Sequence, residues 1–203
     1  MSEEPTNSFG LRIGALTLLR ILGTGASSTV YYSRSDSGMQ YAVKVVCVGK
    51  SEEIRRRRVQ KEISLHSLVS PHPNIVPLLG VLSDDSPAGN SSWPRYTLLV
   101  LPYAASGDLY SLISKHKLYL NKPTLLQSVF LQVLRAVEHC HTLGVFHRDI
   151  KSENILTFDN GASVMLSDFG LATTESKSKE WLVGTLGHMS PGMPPVLYGF
   201  YLS

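Results

Sequence analysis

The sequence lacks the features that mark several broad classes of protein. It has only two cysteines in 203 residues, Cys47 and Cys140, too few for a disulfide framework. Each lies in an apolar run, which predicts two packed, buried thiols in a reducing compartment. No run approaches the ~20 apolar residues that cross a bilayer; the most apolar stretch, residues 96–105, is far shorter. The first residues, MSEEPTN, have neither a basic nor an apolar block, so they do not read as a secretory leader. A surplus of one charge is also missing. Nineteen Lys and Arg against sixteen Asp and Glu leave a net charge of +3, too little to point to nucleic acid. There is no internal repeat and no GxxxxGK[ST] phosphate loop. His139, Cys140, His141 and His147 do not have zinc-ligand spacing. These absences predict an intracellular protein, cytoplasmic and/or nuclear, that binds neither nucleic acid nor membrane. With 43% apolar and 17% charged residues, the chain is globular in composition rather than disordered.

What is present divides into a strand-rich part and a helical part. Residues 1–15 start polar and read as a flexible lead-in. Residues 16–25 read as a strand running into a Gly/Ser-rich turn. Residues 29–33 (TVYYS) and 41–46 (YAVKVV) read as two further strands around the turn signal Asp36-Ser37-Gly38. Three consecutive antiparallel strands are predicted, with Tyr31, Tyr32 and Tyr41 packing on them. A helix is predicted over 51–69, capped by Ser51, with Glu52 and Glu53 in its first turn. Val59, Glu62, Ile63 and His66 share one face of it, and the arginines at 55–58 form its solvated face. Residues 83–95 (SDDSPAGNSSWPR) read as a surface loop, and 96–101 (YTLLVL) as a strand. Past Pro102 the pattern turns helical. The clearest helix spans 124–143, started by Pro123-Thr124 and stopped by Gly144. Leu126, Val129, Phe130, Val133, Leu134 and Val137 form its apolar stripe.

Five short motifs occur in order along these elements. Gly23-Thr24-Gly25 opens a turn whose bare backbone lets N–H groups approach phosphate. The turn leads into a strand and not a helix, unlike a dinucleotide-binding loop. Ala42 and Lys44 alternate onto one strand face, where the lysine suits triphosphate oxygens. Glu62, on an apolar helix face, needs a partner because an unpaired buried charge is costly; Lys44 is the natural one. His147-Arg148-Asp149-Ile150-Lys151-Ser152-Glu153-Asn154 follows the long helix. In it Asp149 can take a hydroxyl proton, Lys151 can neutralise a transferred phosphoryl group, and Asn154 can ligate magnesium. Asp168-Phe169-Gly170 adds a second magnesium ligand at Asp168, 19 residues beyond Asp149 (168 − 149), and a glycine that allows a sharp turn. Each motif alone has a bland structural explanation. Their joint order and spacing match what phosphoryl transfer needs.

Over residues 16–191 the sequence resembles the eukaryotic protein kinase family of serine/threonine type. The segments VQKEISLH (59–66), HPNIV (72–76), Gly107-Asp108-Leu109, VFLQ (129–132) and Gly170-Leu171-Ala172-Thr173 look like fungal kinases of the Ran/Pat meiosis-regulator group. The resemblance implies an α+β, bilobal fold, with an antiparallel β N-lobe carrying one helix and a mainly helical C-lobe that is incomplete here. It implies an N-lobe and hinge over 16–103, a partial C-lobe with catalytic and activation loops over 104–191, and an atypical tail over 192–203. The implied cofactors are ATP and Mg2+, and the implied partners are proteins phosphorylated on Ser or Thr. Leu22, Val30, Ala42 and Leu156 would enclose the adenine, with Gly23 and Gly25 over the phosphates. Leu101 would sit at the back of the cleft, Pro102, Tyr103 and Ala104 would form the hinge, and Asp108 would reach the ribose. Arg148 beside Asp149 implies an activation loop ordered by phosphorylation, with Thr173, Thr174, Ser176, Ser178 and Thr185 as candidates. Lys151 matches the serine/threonine pattern and argues against a small-molecule phosphotransferase. The sequence departs from the family at three places: Ser28 replaces the third loop glycine, Pro102 the usual acidic hinge residue, and Gly192 the glutamate expected after Met189-Ser190-Pro191. The tail GMPPVLYGFYLS matches nothing in the family, which is the ending expected of a truncated, mis-spliced or frameshifted gene model. A chain without the remaining helices would expose apolar surface, and the alternative to an active kinase is a nucleotide- or partner-binding module without turnover.

Overall fold

Alternating apolar and polar residues in six segments between Leu11 and Pro102 fold as one antiparallel sheet. The computed structural model describes residues 10–25, 28–48, 53–83, 95–175 and Thr185. Six strands, β1 (Leu11–Ile13), β2 (Leu16–Thr24), β3 (Ser28–Ser35), β4 (Gln40–Val48), β5 (Gly80–Ser83) and β6 (Arg95–Pro102), lie in the order β1-β2-β3-β4-β6-β5. Every neighbouring pair is antiparallel. The three strands expected between 16 and 46 are β2, β3 and β4. β1 was not expected: Leu11, Arg12 and Ile13 pair with Leu18, Thr17 and Leu16, so the lead-in joins the sheet from Leu11 instead of staying flexible to residue 15. The predicted loop at 83–95 lies mostly at 84–94, outside the described residues, as do Met1 to Asn7 and the tail after Thr185.

The two faces of the sheet make separate cores, as strict alternation requires. Leu16, Leu18, Val43, Leu98 and Val100 pack on one face. On the other, Val46 and Leu99 pack with Val59, Ile63 and Leu78, which seats helix α1 (Glu53–Val69). Its buried residues Val59, Glu62, Leu65, His66 and Val69 recur at helical spacing. Ser51 and Glu52, expected at its start, lie outside the described residues. Arg56, Arg57 and Arg58 are solvated as expected. Arg55 folds back instead to donate to the Cys47 carbonyl at 3.0 Å. Cys47 itself is exposed, contrary to the buried thiol its apolar surroundings suggested.

Beyond Pro102 come α2 (Leu109–Ser114), α3 (Pro123–Thr142) and the hairpin β7 (Ile155–Phe158)–β8 (Ser163–Leu166). Asp108 caps α2, its Oδ1 accepting from the Ser111 N–H at 2.7 Å. α3 begins at Pro123 and ends before Gly144, whose φ of 67° supplies the left-handed turn of a helix stop. Its predicted single apolar stripe is in fact two. Val129, Ala136 and Cys140 are buried in one core with residues of β8, α2 and the segment after the hairpin, with Leu125, Val133 and Val137 packed against that core. Leu126, Phe130 and Leu134 point away and are exposed, Phe130 by 61%. Asn74, in the connection from α1 to β5, ties the sheet to the helical part. Its Nδ2 donates to the Val164 carbonyl and to Gln132 Oε1, both at 3.0 Å, while Ile75 bridges to Leu166 of β8. Among the described residues no helix is long and apolar enough to cross a membrane.

Candidate active site

Strand pairing brings the sequence-predicted residues to one side of the sheet. Residues paired directly across antiparallel strands share a face. Val30 is opposite Lys44, and Ala42 is opposite Leu101, so these four line the same surface, at the junction with the helical part. Lys44 Nζ donates to Glu62 Oε1 at 2.6 Å and to Asp168 Oδ1 at 2.8 Å. The carboxylate on the apolar helix face therefore has the partner its burial demanded. Burial by itself would lower the lysine pKa. The charges of Asp168 and Glu62 and their hydrogen bonds outweigh it and hold the ammonium above its ordinary range.

Asp168 and Gly170 divide the work of their motif differently from the sequence reading. The sharp turn belongs to Asp168, which takes the left-handed conformation (φ 63°) and accepts from the Gly170 N–H. Gly170 leaves room: a Cβ there would lie 3.2 Å from Asp168 Oδ1 and 3.4 Å from Glu62 Oε2, crowding the carboxylates around Lys44. Burial would raise the Asp168 pKa, but the Lys44 charge and its hydrogen bond hold it below the usual carboxylate range. Phe169, fully buried, stacks on His66 of α1 (4.9 Å between centroids) and meets His147 edge-on (4.8 Å). Burial keeps both histidine pKa values low.

The segment after α3 places Asp149. Asp149 is buried, and each of its oxygens has two donors. Oδ2 accepts from Asn154 Nδ2 at 2.9 Å and from Lys151 Nζ at 3.0 Å. Oδ1 accepts from the Thr185 N–H at 3.1 Å and its hydroxyl at 2.7 Å. Burial pulls its pKa up, but the hydrogen bonds from Thr185, Lys151 and Asn154 prevail and the carboxyl stays ionised below the ordinary range. Arg148 adopts a left-handed backbone (φ 67°) and donates from Nε to the Leu171 carbonyl at 2.6 Å. Such backbone strain in a non-glycine residue persists only where its surroundings enforce it. His147 Nε2 pairs with the Ser167 carbonyl, and Ser167 in turn donates twice to the Asn154 carbonyl at 2.8 Å. Asn154 and Asp168 are thereby tied together through Ser167.

These residues fit a magnesium–nucleotide group by their chemistry. Asn154 commits its amide nitrogen to Asp149, which turns its oxygen, the hard ligand, away from that carboxylate. Asp168 is about half exposed (48%). Two oxygen ligands from the chain suit magnesium, which keeps waters and phosphate oxygens in its shell. Among the described residues no three His, Cys, Asp or Glu side chains form a metal cluster. A Cβ on Gly23 would meet no protein atom within 4 Å, so the space beside this residue is open. Ala26 and Ser27 of that turn lie outside the described residues.

Some expectations change and some residues were missed. Asp108 has one carboxylate oxygen engaged in capping α2, and Leu22 is partly exposed (38%). Leu156 of β7 bridges to Asp108 and lies opposite Met165 of β8. Thr173, a candidate for phosphorylation, is 2% exposed and bridged to Phe146. It is inaccessible in this conformation. Thr185, another candidate, belongs to the site itself, accepting from Lys151 Nζ at 2.7 Å. Ser176 and Ser178 lie outside the described residues. Contacts spanning 36 positions, such as Thr185 with Asp149, leave no periodic trace in a sequence.

A sheet-borne lysine bound to a helix carboxylate, near an Asp/Asn pair and a lysine-flanked carboxylate, is the set of groups that phosphoryl transfer uses. The chain belongs to the protein kinase family: the protein kinase domain matches residues 16–193. Among its relatives is a fission yeast protein (Schizosaccharomyces pombe), the "negative regulator of sexual conjugation and meiosis". It is 38% identical over 193 residues, covering 94% of this chain and 39% of that protein. A "probable serine/threonine-protein kinase FMP48" of Saccharomyces cerevisiae is 34% identical, covering 86% and 47%. "CBL-interacting serine/threonine-protein kinase 24" of Arabidopsis thaliana is 34% identical, covering 93% and 40%. The chain thus spans less than half the length of these curated relatives.

Proposed function

We propose that this chain is the catalytic part of an ATP- and magnesium-dependent protein kinase that modifies serine and threonine hydroxyls of proteins. The observation that carries the reading is Lys44 bridging Glu62 and Asp168 at 2.6 and 2.8 Å. Glu62 holds the ammonium in place for phosphate oxygens. Asn154 and Asp168 would hold the metal ion, and bound Mg-ATP supplies the transferable phosphoryl group. Asp149 would orient the substrate hydroxyl and accept its proton. Lys151, 3.0 Å from Asp149, stabilises the negative charge of the group in transfer. Leu22, Val30, Ala42, Leu101 and Leu156 would enclose the base, beside the hinge at Tyr103, with Asp108 near the sugar.

The test is phosphate transfer from ATP to a generic basic protein by the wild-type chain and by Asp149→Asn. The variant should lose transfer by at least about a thousandfold and keep its affinity for Mg-ATP. Undiminished transfer would remove Asp149 from its role. A second reading, a nucleotide-binding module without turnover, is favoured by the exposure of Leu126, Phe130 and Leu134 on α3. Stabilisation of the wild-type chain by Mg-ATP with no transfer would select it.

A further inference from the structure

Arg20 of β2 belongs to no motif that the catalytic reading uses, yet it makes an unusual set of contacts. Its Nη2 donates to the Tyr103 hydroxyl at 2.9 Å. Its guanidinium carbon lies 5.0 Å from the centroid of the Tyr32 ring and 5.9 Å from that of Tyr103. The two rings meet edge-on, 4.7 Å apart. Tyr32 is buried, and its hydroxyl accepts from Arg34 Nη2 at 3.2 Å. One arginine thus joins the strand that enters the glycine turn, its neighbour β3, and the segment following β6.

A β-bulge aims it there. Leu18 pairs with Ser33, but Arg20 pairs with Tyr32, so β2 carries one extra residue, Leu19, between them. Plain alternation would put Arg20 on the same face as Leu18, in the closed core of the sheet. The extra residue flips it to the opposite face. Arg20, Tyr32, Ala42 and Leu101 then form one cross-strand row. A second irregularity between Ile21 and Gly23 restores Gly23 to that face, opposite Val30. The row therefore runs from the base-binding residues Ala42 and Leu101 outward to Arg20, with Tyr103 against its end.

We propose that Arg20 is a positioning residue that clamps the glycine-turn strand to the hinge and so sets the slot that receives the nucleoside. This rests on the nucleotide site assigned above. The clamp acts three residues before Gly23 along β2, on the side of the nucleoside, and works through the Tyr32–Tyr103 pair instead of touching the ligand.

Calorimetric titration of the full chain with Mg-ADP and with adenosine tests it, on wild type, Arg20→Ala, Arg20→Lys, Tyr103→Phe and Lys44→Ala. Arg20→Ala should weaken both ligands by the same factor, about three- to fivefold. Its ligand-free melting temperature should stay close to wild type, because the side chain is exposed. Arg20→Lys keeps a cation over the rings and should recover part of the loss, and Tyr103→Phe should lose less than Arg20→Ala. Lys44→Ala should weaken Mg-ADP and spare adenosine. Wild-type affinity in Arg20→Ala, or a loss confined to Mg-ADP, overturns the clamp alone. A lowered melting temperature with unchanged affinity reduces Arg20 to a structural residue and overturns it too. A wild-type chain that binds neither ligand overturns the nucleotide site and the clamp with it.

Discussion

Cys47 and Cys140 sit in similar apolar runs and end in opposite environments. Cys47 lies near the end of β4, where its side chain is exposed. Cys140 is 1% exposed on the inner face of α3, and burial pushes its thiol pKa up to about 11. A thiol reagent at pH 8 should therefore modify one cysteine promptly and the second only as the chain unfolds. Cys47→Ser should abolish the fast phase and leave the slow one, as read by the absorbance of the released chromophore. The same local ambiguity holds for Gly170 and Asp168. The motif was legible, but which residue turns the chain and which makes room follows from contacts with Glu62 and Lys44, more than a hundred positions away.

Adjacent residues on α3 show how an element divides. Val129 is 2% exposed and Phe130 is 61% exposed. Val129→Ala removes two buried carbons and leaves a void, and should cost about 2 kcal/mol in a urea unfolding curve. Phe130→Ala removes a far larger side chain and should change stability by less than about 0.5 kcal/mol. Equal losses at the two sites would contradict this division of the helix. The exposed stripe continues past Leu134 into a groove of about 570 Å³ lined by Leu134, Val137, Glu138, His141 and Thr142. Periodicity located the helix to within a residue at each end, because Pro123 and Gly144 punctuate it. It could not separate the two apolar faces, because hydrophobic spacing counts apolar residues without saying which of them have neighbours.

Across the whole molecule, Phe169 between His66 and His147 joins α1, the segment after α3 and the β7–β8 hairpin. Both histidines have pKa values lowered by burial, so the folded chain resists protonation that the unfolded chain accepts near pH 6.5. The stability they contribute is complete above that pH and is lost as pH falls through their lower folded values. Denaturant midpoints should accordingly hold steady from pH 8 to 7 and fall below about 6.5. His66→Leu should flatten part of that decline. Asp149 and Asp168, whose pKa values are depressed, contribute stability above their unfolded values near 3.9 and lose it only as pH falls further. The two windows are therefore separable in one titration.

By itself the sequence determined the family, the strands β2, β3, β4 and β6, the helices α1 and α3, and the charged residues Lys44, Glu62, Asp149, Lys151 and Asp168 that the fold gathers. These depend on local propensity, punctuation and spacing, which are written along the chain. Only the tertiary structure decided that β1 joins the sheet, that Cys47 is exposed, that Thr185 hydrogen-bonds to Asp149, and that a bulge turns Arg20 toward Tyr103. Each of these depends on which face a side chain takes and what lies opposite, and a pattern with period two or 3.6 cannot record a one-residue slip or a partner that is distant in sequence.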